Sequence, residues 1–171
     1  MKKSYIIFLA FLMTLFLLGC SLVNQEYAAK QLVVQYKTSL YNIENYNKAY
    51  PDSSSDPEGF FKSLENYKKY FTEEGYNQFI FKKTAIIPLE ACAKGKHTLK
   101  VTNIRFDKVS EEKNKLILDY TVSLKAIYTS GEKTTEEKSQ AILVKENNEW
   151  KICNDWFYIN DLFQEDLNSL T

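Results

Sequence analysis

The chain has 171 residues, with 22 basic and 22 acidic side chains, one histidine, and aromatic residues at 15% of the total. Such a length carries one domain with a substantial core and is short for two. The lysine pairs Lys68–Lys69 and Lys82–Lys83 are interleaved with acids and apolar residues. No basic stripe is left for a nucleic-acid partner. With five glycines, there is no phosphate-cradling loop, nucleophile elbow or metal-ligand spacing, so neither a metal nor a cofactor is expected.

At the start of the chain, Lys2 and Lys3 precede a thirteen-residue apolar-type run from Ile6 to Leu18, followed by Gly19 and Cys20. The run is short for a membrane span, and a basic start with a small residue before the cut fits an export signal. The segment Leu17-Leu18-Gly19-Cys20 resembles the cleavage motif of a bacterial lipoprotein signal peptide, with Leu18 where that family has a small residue. The resemblance implies removal of residues 1–19 and acylation of Cys20, palmitate being a typical chain, as the new N-terminus. It also implies anchoring on the extracytoplasmic face of the cell membrane, since two acyl chains hold a protein there stably. An uncleaved signal anchor and an ordinary secreted protein are the alternatives. Residues 20–24 then form a short tether and residues 25–171 the globular domain, with 20 basic against 22 acidic residues once Lys2 and Lys3 are gone. Richness in Lys, Asn, Tyr and Ile points to a Gram-positive source of low GC content.

Two further cysteines remain, Cys92 and Cys153. In an exported chain they are disulfide candidates, and closing that loop restricts the unfolded chain by roughly 4 kcal/mol on the entropic account. The equal alternative is a pair of buried, inert thiols, because Cys153 sits in an aromatic stretch where a small apolar side chain packs well.

In chain order, apolar residues at Leu32, Tyr36, Leu40 and Ile43, with Ala29 and Val33 beside them, predict an amphipathic helix from Gln25 to Asn47. The stretch Tyr50 to Pro57 has loop composition. Asp56-Pro57-Glu58 starts a second helix to about Tyr70, and Thr72 before Glu73 and Glu74 caps a third through Phe79 and Ile80. Their aromatic stripe is expected to pack under a sheet. A loop with Pro88 and Gly95 follows, or an extra short strand at Ala85 to Leu89. Strand signals then take over. Leu99, Val101, Ile104 and Phe106 alternate with a slip at Thr102–Asn103, as a β-bulge produces. Leu116 to Tyr128 alternates without interruption, as a long half-buried strand does. Turns at Glu111–Asn114, Ser130–Glu132 and Glu146–Glu149 make an antiparallel meander that ends in a strand from Trp150 to Phe157. Leu162, Phe163 and Leu167 mark a short terminal helix.

The fold class is therefore α+β, with N-terminal helices on a bent antiparallel sheet. The element order resembles the NTF2-like cone fold over residues 25 to 160, above all in its closing segment, where the Asn147-Asn148 turn is followed by Trp150, Ile152, Cys153, Asp155, Trp156 and Phe157. A cystatin-like wrap of sheet around one helix is the alternative. The resemblance leaves function open, because the superfamily spans enzymes, ligand binders and docking modules.

An enzyme of that fold would place a shifted acid inside the cone. Asp119, on the mixed face of the long strand, and Asp155, on the last strand, are the two candidates, against a plain reading in which the first faces solvent and the second pairs locally. His97 reads as an exposed loop residue. Phe106, Tyr120, Tyr128 and Trp156 are the candidate lining of a pocket for a small apolar ligand. With no catalytic residue assigned, the first expectation is a non-catalytic, lipid-anchored module that docks an envelope protein. The ligand-binding cone comes next, and a carboxylate-dependent isomerase or dehydratase last.

Overall fold

Helix α1 covers residues 25–41 in the computed structural model, which describes residues 25–49 and 57–168. Ala29, Val33, Tyr36 and Leu40 are buried, so the predicted apolar stripe turns inward. The helix does not reach Asn47. Ile43 instead exchanges both backbone hydrogen bonds with Leu99, at 2.9 and 3.0 Å, and Asn42 Oδ1 accepts from the Val101 amide at 2.9 Å. Pairing with a strand takes the backbone groups that a further helical turn would need. A short helix α2 (Tyr46–Ala49) follows the break.

The second predicted helix is α3 (Pro57–Leu64), which tightens into a 3-10 turn (Glu65–Tyr70), and the third is α4 (Glu73–Phe81). Thr72 caps α4, its Oγ1 accepting from the Gly75 amide at 3.0 Å. Gly75 has a packing role, because a Cβ there would fall on the carbonyl oxygen of Ile152. The absence of a side chain brings α4 directly onto the last strand.

The segment expected to be a loop or an extra strand is helix α5 (Ile86–Gly95). Pro88 occupies its third position, inside the first turn, where the backbone amide has no helical partner and proline costs little. Lys96, with φ of 52°, ends the helix in the left-handed region.

Four strands, β1 (Thr98–Glu112), β2 (Lys115–Tyr128), β3 (Gly131–Glu146) and β4 (Glu149–Phe157), form an antiparallel meander in sequence order. The expected bulge lies between Val101 and Asn103, and a second between Phe106 and Lys108 leaves Asp107 unpaired. Asn147 and Asn148 have φ of 51° and 65°, the positive pair that a tight two-residue hairpin needs. Helix α6 (Asp161–Asn168) closes the chain, capped by Asn160 Oδ1 accepting from the Phe163 amide at 3.0 Å.

The even-numbered side chains of β2 from Leu116 to Ala126 are buried in one core with a group of tilted and edge-on rings from the helical layer. Tyr36, Tyr70, Phe71 and Phe79 have centroid separations between 5.0 and 6.3 Å. The fold is thus α+β, with helices packed on one face of a four-stranded antiparallel sheet. Among the described residues, no helix is long and apolar enough to cross a membrane. Cys20, the signal segment 1–19, the tether 20–24 and residues 50–56 lie outside the described residues.

Candidate functional site: a buried lysine between two carboxylates

The polar centre of the molecule begins with an anomaly in the α1 stripe. Val33, Tyr36, Lys37, Leu40 and Tyr41 fall at the three-and-four spacing of one face, so a lysine occupies a core position. Lys37 is fully buried. Its Nζ lies 3.0 Å from Asp155 Oδ2 and 3.3 Å from Glu137 Oε1.

The two carboxylates reach it from adjacent strands by different routes. On β3, Thr135, Glu137, Ser139, Ala141 and Leu143 share one face by simple alternation, and Glu137 sits in that row with 1% exposure. On β4, a bulge decides the matter. Leu143 pairs with Ile152, but Ile142 pairs with Asn154 and Ala141 with Asp155, so the register slips by one at Cys153. A one-residue slip exchanges the faces of every later side chain. Asp155 and Phe157 therefore point toward α1, while Asn154 and Trp156 point away. Without the bulge Asp155 would stand outside.

Each carboxylate oxygen has a donor. Tyr120 OH donates to Asp155 Oδ1 at 2.6 Å and Tyr36 OH to Oδ2 at 3.1 Å. Tyr41 OH donates to Glu137 Oε2 at 2.5 Å and Ser139 Oγ to Oε1 at 2.9 Å. The rings of Tyr36, Tyr41, Tyr120 and Phe157 surround the ammonium, with centroids 5.2 to 5.6 Å from Nζ. Burial pushes all three phenols well above their ordinary range, and the neighbouring carboxylates push them further. For Lys37, burial acts downward, but Asp155 and Glu137 outweigh it and the net shift is upward. The lysine is a cation and the phenols are neutral donors. The void beside Asp155, between Tyr36, Phe71 and Phe79, measures about 10 Å³, the room of about one water.

The remaining predicted residues fall in separate places, except that Asp119 and Trp156 line one depression together with Tyr120. Phe106 stacks near Tyr120 with centroids 5.9 Å apart. Asp119 is on the opposite face of the sheet, its Oδ1 accepting from Gln140 Nε2 at 2.6 Å. Trp156 is on that opposite face too and is 46% exposed. Tyr128 belongs to a second buried group, where its OH donates to Asp166 Oδ2 at 3.3 Å. His97 also belongs there and is no exposed loop residue. It is fully buried, with Nε2 2.8 Å from Asp166 Oδ2 and Nδ1 3.2 Å from its neighbour's carbonyl, Thr98 O. The left-handed turn at Lys96 aims it inward, and it clasps α6 to the start of β1.

Cys92 and Cys153 are free thiols. Burial, then the nearby Asp166, push the Cys92 thiol up to about 12. Cys153 is the bulged residue of β4, and its thiol is raised chiefly by burial. Among the described residues, no group of three or more histidine, cysteine or acidic side chains is placed to hold a metal ion.

No protein-family model and no curated protein matches the sequence. Solved structures do. An NTF2-like protein with a cystatin-like fold from Novosphingobium aromaticivorans aligns with a TM-score of 0.53 at 8% identity, over 86% of this chain and 90% of that one. The fold is NTF2-like, of the cystatin-like type. The same architecture appears in a periplasmic fragment of TraM, with a TM-score of 0.53 and 12% identity over 79% of this chain and 98% of that one. The periplasmic domain of DotI aligns with a TM-score of 0.51 and 11% identity, over 76% and 92% respectively. At such identities the likeness establishes the fold alone.

The sequence signal for the interior cluster was present but faint. A lysine inside the α1 stripe and a glutamate inside the buried row of β3 are each one polar residue in an apolar pattern. Asp155 required the bulge, which single-strand alternation does not announce.

Proposed function

We propose that the protein is a lipid-anchored, non-catalytic docking module on the extracytoplasmic face of the cell membrane, attached through Cys20 and engaging an envelope protein. The observation that carries this reading is that, among the described residues, the space around Lys37 between α1 and the sheet is filled by side chains. In NTF2-like domains that work on small molecules, the space between the first helix and the sheet has to admit a ligand. Here Lys37, Tyr36, Tyr41 and Tyr120 fill it and use both carboxylates, and the adjoining void holds about one water. A general acid or base inside the fold also needs a free lone pair or proton within reach of substrate; both oxygens of Asp155 are engaged, and Asp119 stands outside on the reverse face of the sheet.

The outer surface, by contrast, offers apolar area to a partner. Phe61 on α3 is 58% exposed and Phe81 at the end of α4 is 87% exposed, on either side of a groove of about 860 Å³ that also takes in Tyr76 and Ile80. Exposed aromatic anchors beside a rim of charged residues, here Glu65 with Lys68, are the usual composition of a docking surface. The likeness to periplasmic domains of TraM and DotI is consistent with a role in the envelope, the basic-apolar-cysteine start supports the anchor, and the richness in Lys, Asn, Tyr and Ile supports a Gram-positive setting.

Two experiments test the reading. A photo-crosslinking residue in place of Phe81, in the full-length chain in its own cells, is expected to give one defined protein adduct that Phe61→Asp removes. The absence of any Phe61-dependent adduct sinks the docking role. Cys20→Ala is expected to abolish lipid labelling and membrane retention, and continued labelling sinks the anchor.

A further inference from the structure

We infer that the face of the sheet opposite α1 carries an oligosaccharide-binding cleft built around Trp156. The bulge that turns Asp155 inward turns Trp156 outward, where it forms the wall shared by two depressions of about 550 and 750 Å³. Lys82 Nζ, held by Asn154 Oδ1 at 3.1 Å, lies 5.8 Å from the indole centroid. That contact steadies the ring from one side and leaves the other for a ligand.

The chemistry of the walls selects the ligand. A sugar ring presents an apolar C–H face and a rim of hydroxyls. An exposed indole matches the first, and planar carboxylate and amide groups match the second. Asp119 and Gln140 supply that pair in fixed geometry. Their mutual hydrogen bond of 2.6 Å uses Oδ1 and Nε2, and Asp119 Oδ2 and Gln140 Oε1 have no other hydrogen bond among the described residues. Acidic residues outnumber Lys115 and Lys138 along the cleft, which disfavours phosphorylated or otherwise anionic polymers.

The shape asks for a chain of sugars. The two depressions follow the outward row of β3 from Lys138 to Glu146, a span of about 27 Å at strand spacing. A peptide would lack its customary foothold. From Ser139 to Val144, β3 is paired on both sides, with β2 and with β4, and at Ile152 the outer edge of β4 is taken by Phe71 and Thr72, so along this stretch the cleft has no free backbone edge to which a strand could add. Side chains alone do the recognising, as sugar hydroxyls require.

The test is calorimetric titration of the full-length protein in detergent with the N-acetylglucosamine hexamer and with cellohexaose. Saturable binding of at least one hexamer is expected, with the matching disaccharide weaker by about tenfold or more because it spans one depression. Trp156→Ala should weaken binding by about tenfold or more and Asp119→Asn by roughly threefold to tenfold, both with unchanged Tm because the two residues lie outside the core. Absence of heat with both hexamers overturns the proposal, as does binding that survives Trp156→Ala. Trp156-dependent binding of a short lysine-bearing peptide in place of the sugars also overturns it, making the cleft a peptide site. The docking groove between α3 and α4 shares Asn77 of α4 with the cleft, but neither Trp156 nor Asp119 lines it, so the two variants test the cleft separately from the docking reading.

Discussion

The two faces of one sheet solve opposite problems with neighbouring residues. Toward α1, Glu137, Ser139 and Asp155 are buried, and every charge meets a partner within 3.3 Å. On the reverse, Gln140 and Trp156, each one position along from Ser139 and Asp155, and Asp119 on β2 are only half-buried or exposed and their hydrogen-bonding capacity is partly unspent. Strand alternation makes the contrast possible, and the bulge at Cys153 assigns Asp155 to one side and Trp156 to the other. A saturated polar group deep in a core contributes to specifying the fold, whereas an unsaturated one at the surface is available to a ligand.

The sharpest way to break this comparison is to remove the interior cation. Lys37→Met leaves two buried carboxylates uncompensated and is expected to cost about 3–5 kcal/mol in denaturant unfolding. Adding Glu137→Gln and Asp155→Asn should recover most of that loss. A single substitution costing under about 1 kcal/mol would mean that the cluster is wet and open.

The same cluster predicts alkaline lability. Lys37 is raised in the folded state, so its contribution is complete below the ordinary lysine value of 10.5 and is lost as pH rises through the higher folded value. Tyr36, Tyr41 and Tyr120 act with the same sign, because their raised folded values favour the neutral phenol and the unfolded chain ionises first, from about its ordinary 10.0. Stability should therefore fall from about pH 10 upward. Spectroscopic titration should find these three phenols silent until the chain unfolds, and their early ionisation in the folded protein would contradict their burial.

Smaller effects refine the picture. Gly75→Ala pushes a methyl group against the Ile152 carbonyl and is expected to cost about 1–3 kcal/mol, read as a lowered denaturation midpoint with an unchanged slope. Asn148→Gly, at φ of 65°, should stabilise the β3–β4 hairpin by about 0.5–1 kcal/mol. On the outer face, Trp156→Ala and Asp119→Asn should change stability by no more than about 0.5 kcal/mol. A large loss there would assign the outer pair a structural role and blur the distinction between the faces.

By itself, the sequence determined the α+β class, the long alternating strands, the bulge after Val101, the Thr72 cap and the terminal helix, because period and capping chemistry are local properties written into a few adjacent residues. It misled at Pro88, whose place in the first turn of α5 depends on where that helix begins, and at His97, which a left-handed turn at Lys96 carries inward. Tertiary structure alone decided that Lys37 meets Glu137 and Asp155, residues about a hundred or more positions away. Partnership across such separations depends on which strand lies beside which helix and on a one-residue slip in register. No local pattern encodes that, because burial of a charge is tolerable only once every partner has arrived.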